Sequence, residues 1–220
     1  GAAARELCEN ANGLLQEIVD EKLLRANAVY GFWPANSVGD DIVLYNDDTR
    51  SEELTRFNML RQQKFSGEHS LCLSDFIAPQ KTGIRDYIGA FAVTAGIGAS
   101  RLAGKYEASG DDYNAIMVKA LVDRLAEAFA ERLHLEARAE WGFPDDTAIT
   151  NEDLNKEKYR GIRPAFGYPA CPNHEEKIKL FKILDAEKIG MTLTENYSMI
   201  PAASVSGLYF ANEKSRYFSV

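Results

Sequence analysis

Apolar residues at the start of the chain recur at three- and four-residue steps. Leu7, Cys8, Ala11, Leu14, Leu15, Ile18 and Val19 fall on one side of a helix over residues 4–24, and acidic residues fill the other. The pattern then changes to short aromatic and β-branched runs. Residues 28–33 and 41–45, separated by Pro34, Asn36 and Gly39, predict strands, and Asn46-Asp47-Asp48 predicts a turn. Residues 54–60, 71–77 and 87–94 have the same strand character, with Pro79 and Gly83 breaking the last interval.

Asp111 and Asp112 supply a helix start ahead of Tyr113, Ile116, Met117, Ala120, Leu121, Leu125, Ala128 and Phe129, whose spacing predicts a long amphipathic helix running towards Trp141. Thr150-Asn151 opens a short polar helix through Lys158, and Asn173 caps another that ends at Gly190. The chain then returns to strand patterning over 191–194, 204–210 and 215–220, the last two joined as a hairpin around Asn212-Glu213-Lys214. Strands gathered at both ends of a helical middle, without regular alternation, predict an α+β fold and not a doubly wound one.

At 220 residues with 45% hydrophobic content, the chain can bury a sizeable core. Twenty-five Lys and Arg against thirty-three Asp and Glu give a net charge of -8, which argues against nucleic-acid binding through a basic surface. Cys8, Cys72 and Cys171 are odd in number and widely spaced, so neither a disulfide framework nor a thiolate metal site is indicated, and a reducing cytoplasm is the expected setting. No run approaches the roughly 20 apolar residues of a membrane-spanning helix. His69, His134 and His174 have no partners at metal-ligand spacing. Gly96-Ile97-Gly98 lacks the third glycine and the strand–helix–strand pattern of a dinucleotide loop.

Two places remain where chemistry could sit. On the long helix, Arg124 falls near the middle of the apolar stripe and Glu127 on its edge; the glutamate either faces water or lines a cleft that receives a cationic group. The second is the segment 161–172, Gly-Ile-Arg-Pro-Ala-Phe-Gly-Tyr-Pro-Ala-Cys-Pro, too irregular for helix or strand. Its prolines stiffen it, its glycines admit close backbone approach, and Arg163 offers a planar fork suited to a carboxylate or phosphate. A rigid connector with a structural arginine is an equally good account of composition alone.

Arg163-x-x-x-Gly167-Tyr168-x-x-Cys171-Pro172 resembles the S-adenosylmethionine motif in the activation domain of cobalamin-dependent methionine synthase. Gly31-Phe32-Trp33-Pro34-Ala35-Asn36, Leu60-Arg61-Gln62-Gln63, Leu73-Ser74-Asp75-Phe76-Ile77-Ala78-Pro79, Asp111-Asp112-Tyr113-Asn114 and Ala203-Ser204-Val205-Ser206-Gly207-Leu208-Tyr209-Phe210 resemble the same family in the same order. Together these segments cover nearly the whole chain.

The resemblance implies one S-adenosylmethionine-binding activation domain over residues 1–220, an α+β fold with a twisted antiparallel sheet and flanking helices, not Rossmann-like. It implies reductive methylation of inactive cob(II)alamin to methylcobalamin, within an enzyme that makes methionine from homocysteine and methyltetrahydrofolate. Carried over by position, Arg163 meets the methionine carboxylate, Glu127 faces the ammonium or sulfonium, Ala165 and Gly167 offer backbone groups to the adenosine with Tyr168 beside it, and Tyr217 and Phe218 close the site.

No side chain need act as a nucleophile. The implied partners are the cobalamin domain of the same enzyme and a flavodoxin or diflavin reductase as electron donor. Cobalamin is expected on another domain, because none of the three histidines carries the Asp-x-His-x-x-Gly signature, and zinc only in the full-length enzyme. Phe166 departs from the smaller or cyclic residue expected between Ala165 and Gly167. The sequence starts after the family's Asp-Trp-x-Pro-Phe segment and stops before its helical tail, which leaves open a docking module without catalysis or a stand-alone corrinoid reactivase.

Overall fold

The long helix forms where Asp111 and Asp112 predict it: α3 spans Asp112–Glu140, and the Asp111 carboxylate accepts the backbone N–H of Asn114 at 3.0 Å. The structure, a computed structural model, describes residues 1–63, 70–145 and 149–220; His69 lies outside them. The other helices are α1 (Ala2–Asp20), α2 (Ala99–Ala108), α4 (Asn151–Asn155) and α5 (Glu176–Leu184). The strands are β1 (Arg25–Val38), β2 (Asp41–Tyr45), β3 (Glu53–Asn58), β4 (Asp86–Ile97), β5 (Thr192–Leu193), β6 (Met199–Ile200) and β7 (Ser204–Tyr209).

Five strands make one sheet in the order β3-β2-β1-β4-β7, and β5 and β6 form a separate ribbon. The β1–β2 and β2–β3 pairs are antiparallel, with Asn36 opposite Val43 and Ile42 opposite Phe57. The fold is α+β, as the grouping of strands and helices predicts. Among the described residues no helix is long and apolar enough to cross a membrane.

The chain divides into two compact units. The first comprises residues 1–28, 93–130 and 187–205. Its core packs Leu14 and Ile18 of α1 against Leu102 and Ala103 of α2 and Ala115 and Val118 of α3, which is why the apolar stripes of these helices repeat at helical spacing. The second comprises residues 29–92, 131–186 and 206–220 and contains the 161–172 loop.

Three local readings are corrected. Residues 71–77 do not form a strand: Leu73–Phe76 is a 3₁₀ turn, because the Asp75 carboxylate accepts the backbone N–H of Cys72 at 2.9 Å and folds the segment on itself. Residues 215–220 do not pair as a hairpin; Ser215 N–H turns back to the Asn212 carbonyl at 3.0 Å, and Val220 N–H reaches Pro169 at 3.1 Å. The helix placed from Asn173 begins at Glu176, Asn173 instead accepting the N–H of Glu175 at 3.0 Å, and it ends at Leu184.

Helix α2 has no counterpart in the pattern reading. Gly98, at φ +92°, turns the chain from β4 into it, and a Cβ at Gly96 would lie 2.6 Å from Pro201. The Gly96-Ile97-Gly98 run is therefore accounted for by packing and turning.

Two glycines make opposite demands. Gly161 has φ +86° and a Cβ there would lie 1.9 Å from the Phe210 carbonyl oxygen, whereas Gly104, inside α2, has open space around its Cα. Gly161→Ala is expected to destabilise the fold by more than about 2 kcal/mol, and Gly104→Ala to stabilise it by about 0.5–1 kcal/mol, in urea unfolding. A mild effect at Gly161 would contradict this packing of the loop.

Candidate functional site

The first part of the 161–172 loop is seated on strand β7. Ile162 and Phe210 exchange backbone hydrogen bonds at 3.1 and 3.0 Å, and Leu208 N–H donates to the Pro164 carbonyl at 3.0 Å. Gly207 permits the approach, since a Cβ there would lie 2.3 Å from the Pro164 oxygen. The loop thus satisfies polar groups along an outer strand of the sheet.

Beyond Pro164 the loop closes on itself. Gly167 N–H donates to the Cys171 carbonyl at 2.9 Å, and Cys171 N–H to the Tyr168 carbonyl at 3.0 Å. The Ala165 carbonyl accepts both Tyr168 N–H at 3.2 Å and the Cys171 thiol at 3.1 Å. Burial pushes that thiol up to about 12, so Cys171 serves as a neutral donor and not as a nucleophile. Gly167 has φ +99°, and a Cβ there would strike the His174 imidazole at 2.2 Å. His174 Nδ1 in turn lies 2.9 Å from Lys177 Nζ.

The departure at Phe166 has a structural cause. Its ring is buried and stacks on Phe57 of β3, with centroids 5.4 Å apart, so it anchors the loop in the core.

Arg163 is held from two sides. Its backbone N–H donates to the Tyr217 hydroxyl at 3.1 Å, and its Nη2 donates to Glu131 Oε2 on α3 at 3.1 Å. Both charged side chains are 17% exposed. Burial opposes the charge on Arg163, but Glu131 and the Tyr159 phenol outweigh it and hold the guanidinium above its ordinary range. Tyr217 to Val220 forms a strap along the loop, tied at Arg163 by Tyr217 and at Pro169 by Val220.

Close to the pair lies a buried aromatic stack. Tyr209 is sandwiched between Phe91 and His134, at 4.5 and 4.7 Å and nearly parallel, and Tyr159 meets His134 edge-on at 5.0 Å. Arg138 lies 4.0 Å above the Tyr159 ring and pairs with Asp145.

The structure brings Arg163, Ala165, Gly167, Tyr168 and Tyr217 together in the loop and its strap. Tyr168 presents an exposed ring, 63% accessible. Phe218 belongs to the strap, but its ring packs on Phe76 at 6.4 Å. Glu127 is an exposed residue of the first unit, as is Arg124. Pattern reading missed Glu131, which meets Arg163 across 32 positions of sequence, and His174, which occupies the space above Gly167. For Glu131 the available signal was its place one helical turn beyond Glu127.

Comparison with known proteins bears on both the family and the fold. Residues 1–220 match the family described as vitamin B12 dependent methionine synthase, activation domain. A crystal structure of the MetH reactivation domain bound to AdoHcy superposes with a TM-score of 0.96 at 49% sequence identity, covering 100% of this chain and 68% of that one.

The buried stack has a measurable pH signature. Desolvation, reinforced by the Arg138 and Arg163 charges, pushes the His134 imidazole down to about 2. The folded state keeps this ring neutral, whereas the unfolded chain binds a proton below about pH 6.5. The contribution of His134 to stability is therefore complete above that pH and is lost progressively, by at most about 1.4 kcal/mol per unit, as pH drops from about 6.5 towards about 2. Urea unfolding of wild type and His134→Phe between about pH 7 and 5 is expected to show that contribution to the slope only in wild type; equal slopes would refute it.

Proposed function

Because the chain belongs to the family of vitamin B12-dependent methionine synthase activation domains, we propose that it binds S-adenosylmethionine on the Arg163 loop and presents the methyl group to cobalamin. We read residues 1–220 as one such domain. The observation that carries this reading is the guanidinium of Arg163, fixed by Glu131 at 3.1 Å on a loop whose backbone is tied to β7 and to the Tyr217 strap. A guanidinium so placed suits the carboxylate of the methionine moiety, which it can meet with two parallel charge-assisted bonds. The exposed Tyr168 ring and the backbone around Ala165 and Gly167 suit the adenosine.

AdoHcy, bound in the related structure, is what S-adenosylmethionine becomes once its S–CH₃ bond breaks and the methyl leaves. A site for donor and product need supply no acid, base or nucleophile; its contribution is orientation of the sulfonium. Cobalamin, carried by another domain of the enzyme, supplies the methyl acceptor. This chain does not suit the role of holding it. Arg132 and Pro172 stand two residues before His134 and His174, where an Asp-x-His-x-x-Gly site needs aspartate. His134 is 1% exposed, and among the described residues no cluster of three His, Cys, Asp or Glu could hold a metal ion. Partners of the proposed reaction are the cobalamin domain and a flavodoxin or diflavin reductase as electron source, in the cytoplasm.

Calorimetric titration with S-adenosylmethionine tests the reading. Arg163→Ala is expected to weaken binding at least about 100-fold and Arg163→Lys about 10-fold, because two charged hydrogen bonds are lost or reduced to a point charge. Undiminished binding by Arg163→Ala would overturn the placement of the ligand. No binding by folded wild type would leave this chain as a docking module only.

A further inference from the structure

We infer that Glu131 is a positioning residue for ligand binding, acting through Arg163; the inference rests on the function proposed above. Glu131 stands on α3 between the buried Ala130 and the buried Leu133 and His134, so its backbone is fixed by packing. Its Oε2 takes Arg163 Nη2 at 3.1 Å and uses one of the five N–H groups of the guanidinium. The remaining oxygen of Glu131 and Nε of Arg163 are both sealed from solvent, and neither has a hydrogen-bond partner among the described residues. Water therefore does little to screen this pair.

Two effects of Glu131 on an arriving carboxylate oppose each other. Its negative charge repels the ligand, and its grip spares the ligand the cost of ordering a long, flexible side chain. Burial decides the balance. Arg163 is 17% exposed, and its charge acts on three further buried groups, Tyr159, Tyr209 and His134, whose hydroxyls and Nδ1 have no hydrogen-bond partner among the described residues. Without an anion beside it, a guanidinium in such surroundings swings out to water and loses its aim. Glu131 keeps it on the loop with part of its fork unused.

Glu131→Gln preserves shape and removes the charge. Two ligands are titrated into the full chain: S-adenosylmethionine, and decarboxylated S-adenosylmethionine, which keeps the ammonium, sulfonium and adenosine. Glu131→Gln is expected to weaken the first about 10-fold and to leave the second within about twofold, with no further loss of S-adenosylmethionine affinity when added to Arg163→Ala. Should Glu131→Gln not fold, Glu131→Asp carries the same comparison, with a loss of about threefold confined to the carboxylate-bearing ligand. Equal loss on both ligands would mean a structural role or direct contact with the ammonium, and tighter binding would mean that Glu131 competes with the ligand; unchanged affinities would mean no role. Each of these overturns the inference alone, whereas wild type that binds neither ligand overturns the functional reading beneath it.

Discussion

A guanidinium largely shielded from water stays in place only while an anion stays beside it, and at Arg163 that anion is Glu131. The pair joins α3 to a loop that has no regular structure of its own. Around it the chain has arranged a series of close backbone approaches. Gly161 and Gly207 let the loop lie against β7, Gly167 gives up its side-chain space to His174, and Tyr217 fixes the Arg163 backbone. Each arrangement sets where a single charged group is held.

That economy agrees with the chemistry of a methyl donor. The sulfonium of S-adenosylmethionine is already activated, so a protein that binds it contributes geometry more than functional groups. The nearby titratable groups are correspondingly quiet: Cys171 is held protonated as a hydrogen-bond donor, and His134 is held neutral within its aromatic stack.

Much of this was legible along the chain, and what was not has identifiable causes. α3 announced itself because Asp111 caps it and its apolar positions repeat over many turns. The loop was legible because prolines and glycines around one arginine exclude helix and strand. Residues 71–77 misled because strand-like composition yielded to one side chain, Asp75, that captures the Cys72 N–H and is itself gripped by Arg61 at 2.8 Å. Residues 215–220 misled because alternation alone does not supply a partner strand; their contacts go to the loop instead. For Glu131 the sequence offered only its place one turn beyond Glu127, and nothing that tied it to Arg163. An ion pair between a helix and an irregular loop leaves no periodic trace in either segment, and only the folded chain places the two 3.1 Å apart.

In the proposed site the Arg163 loop receives a carboxylate while Glu131 holds the guanidinium. A crystal structure of this chain with S-adenosylhomocysteine tests it most directly. The ligand carboxylate is expected about 3 Å from the Arg163 guanidinium, with the Glu131 contact retained. A carboxylate seated elsewhere, or Arg163 turned away from Glu131 to reach the ligand, would contradict it.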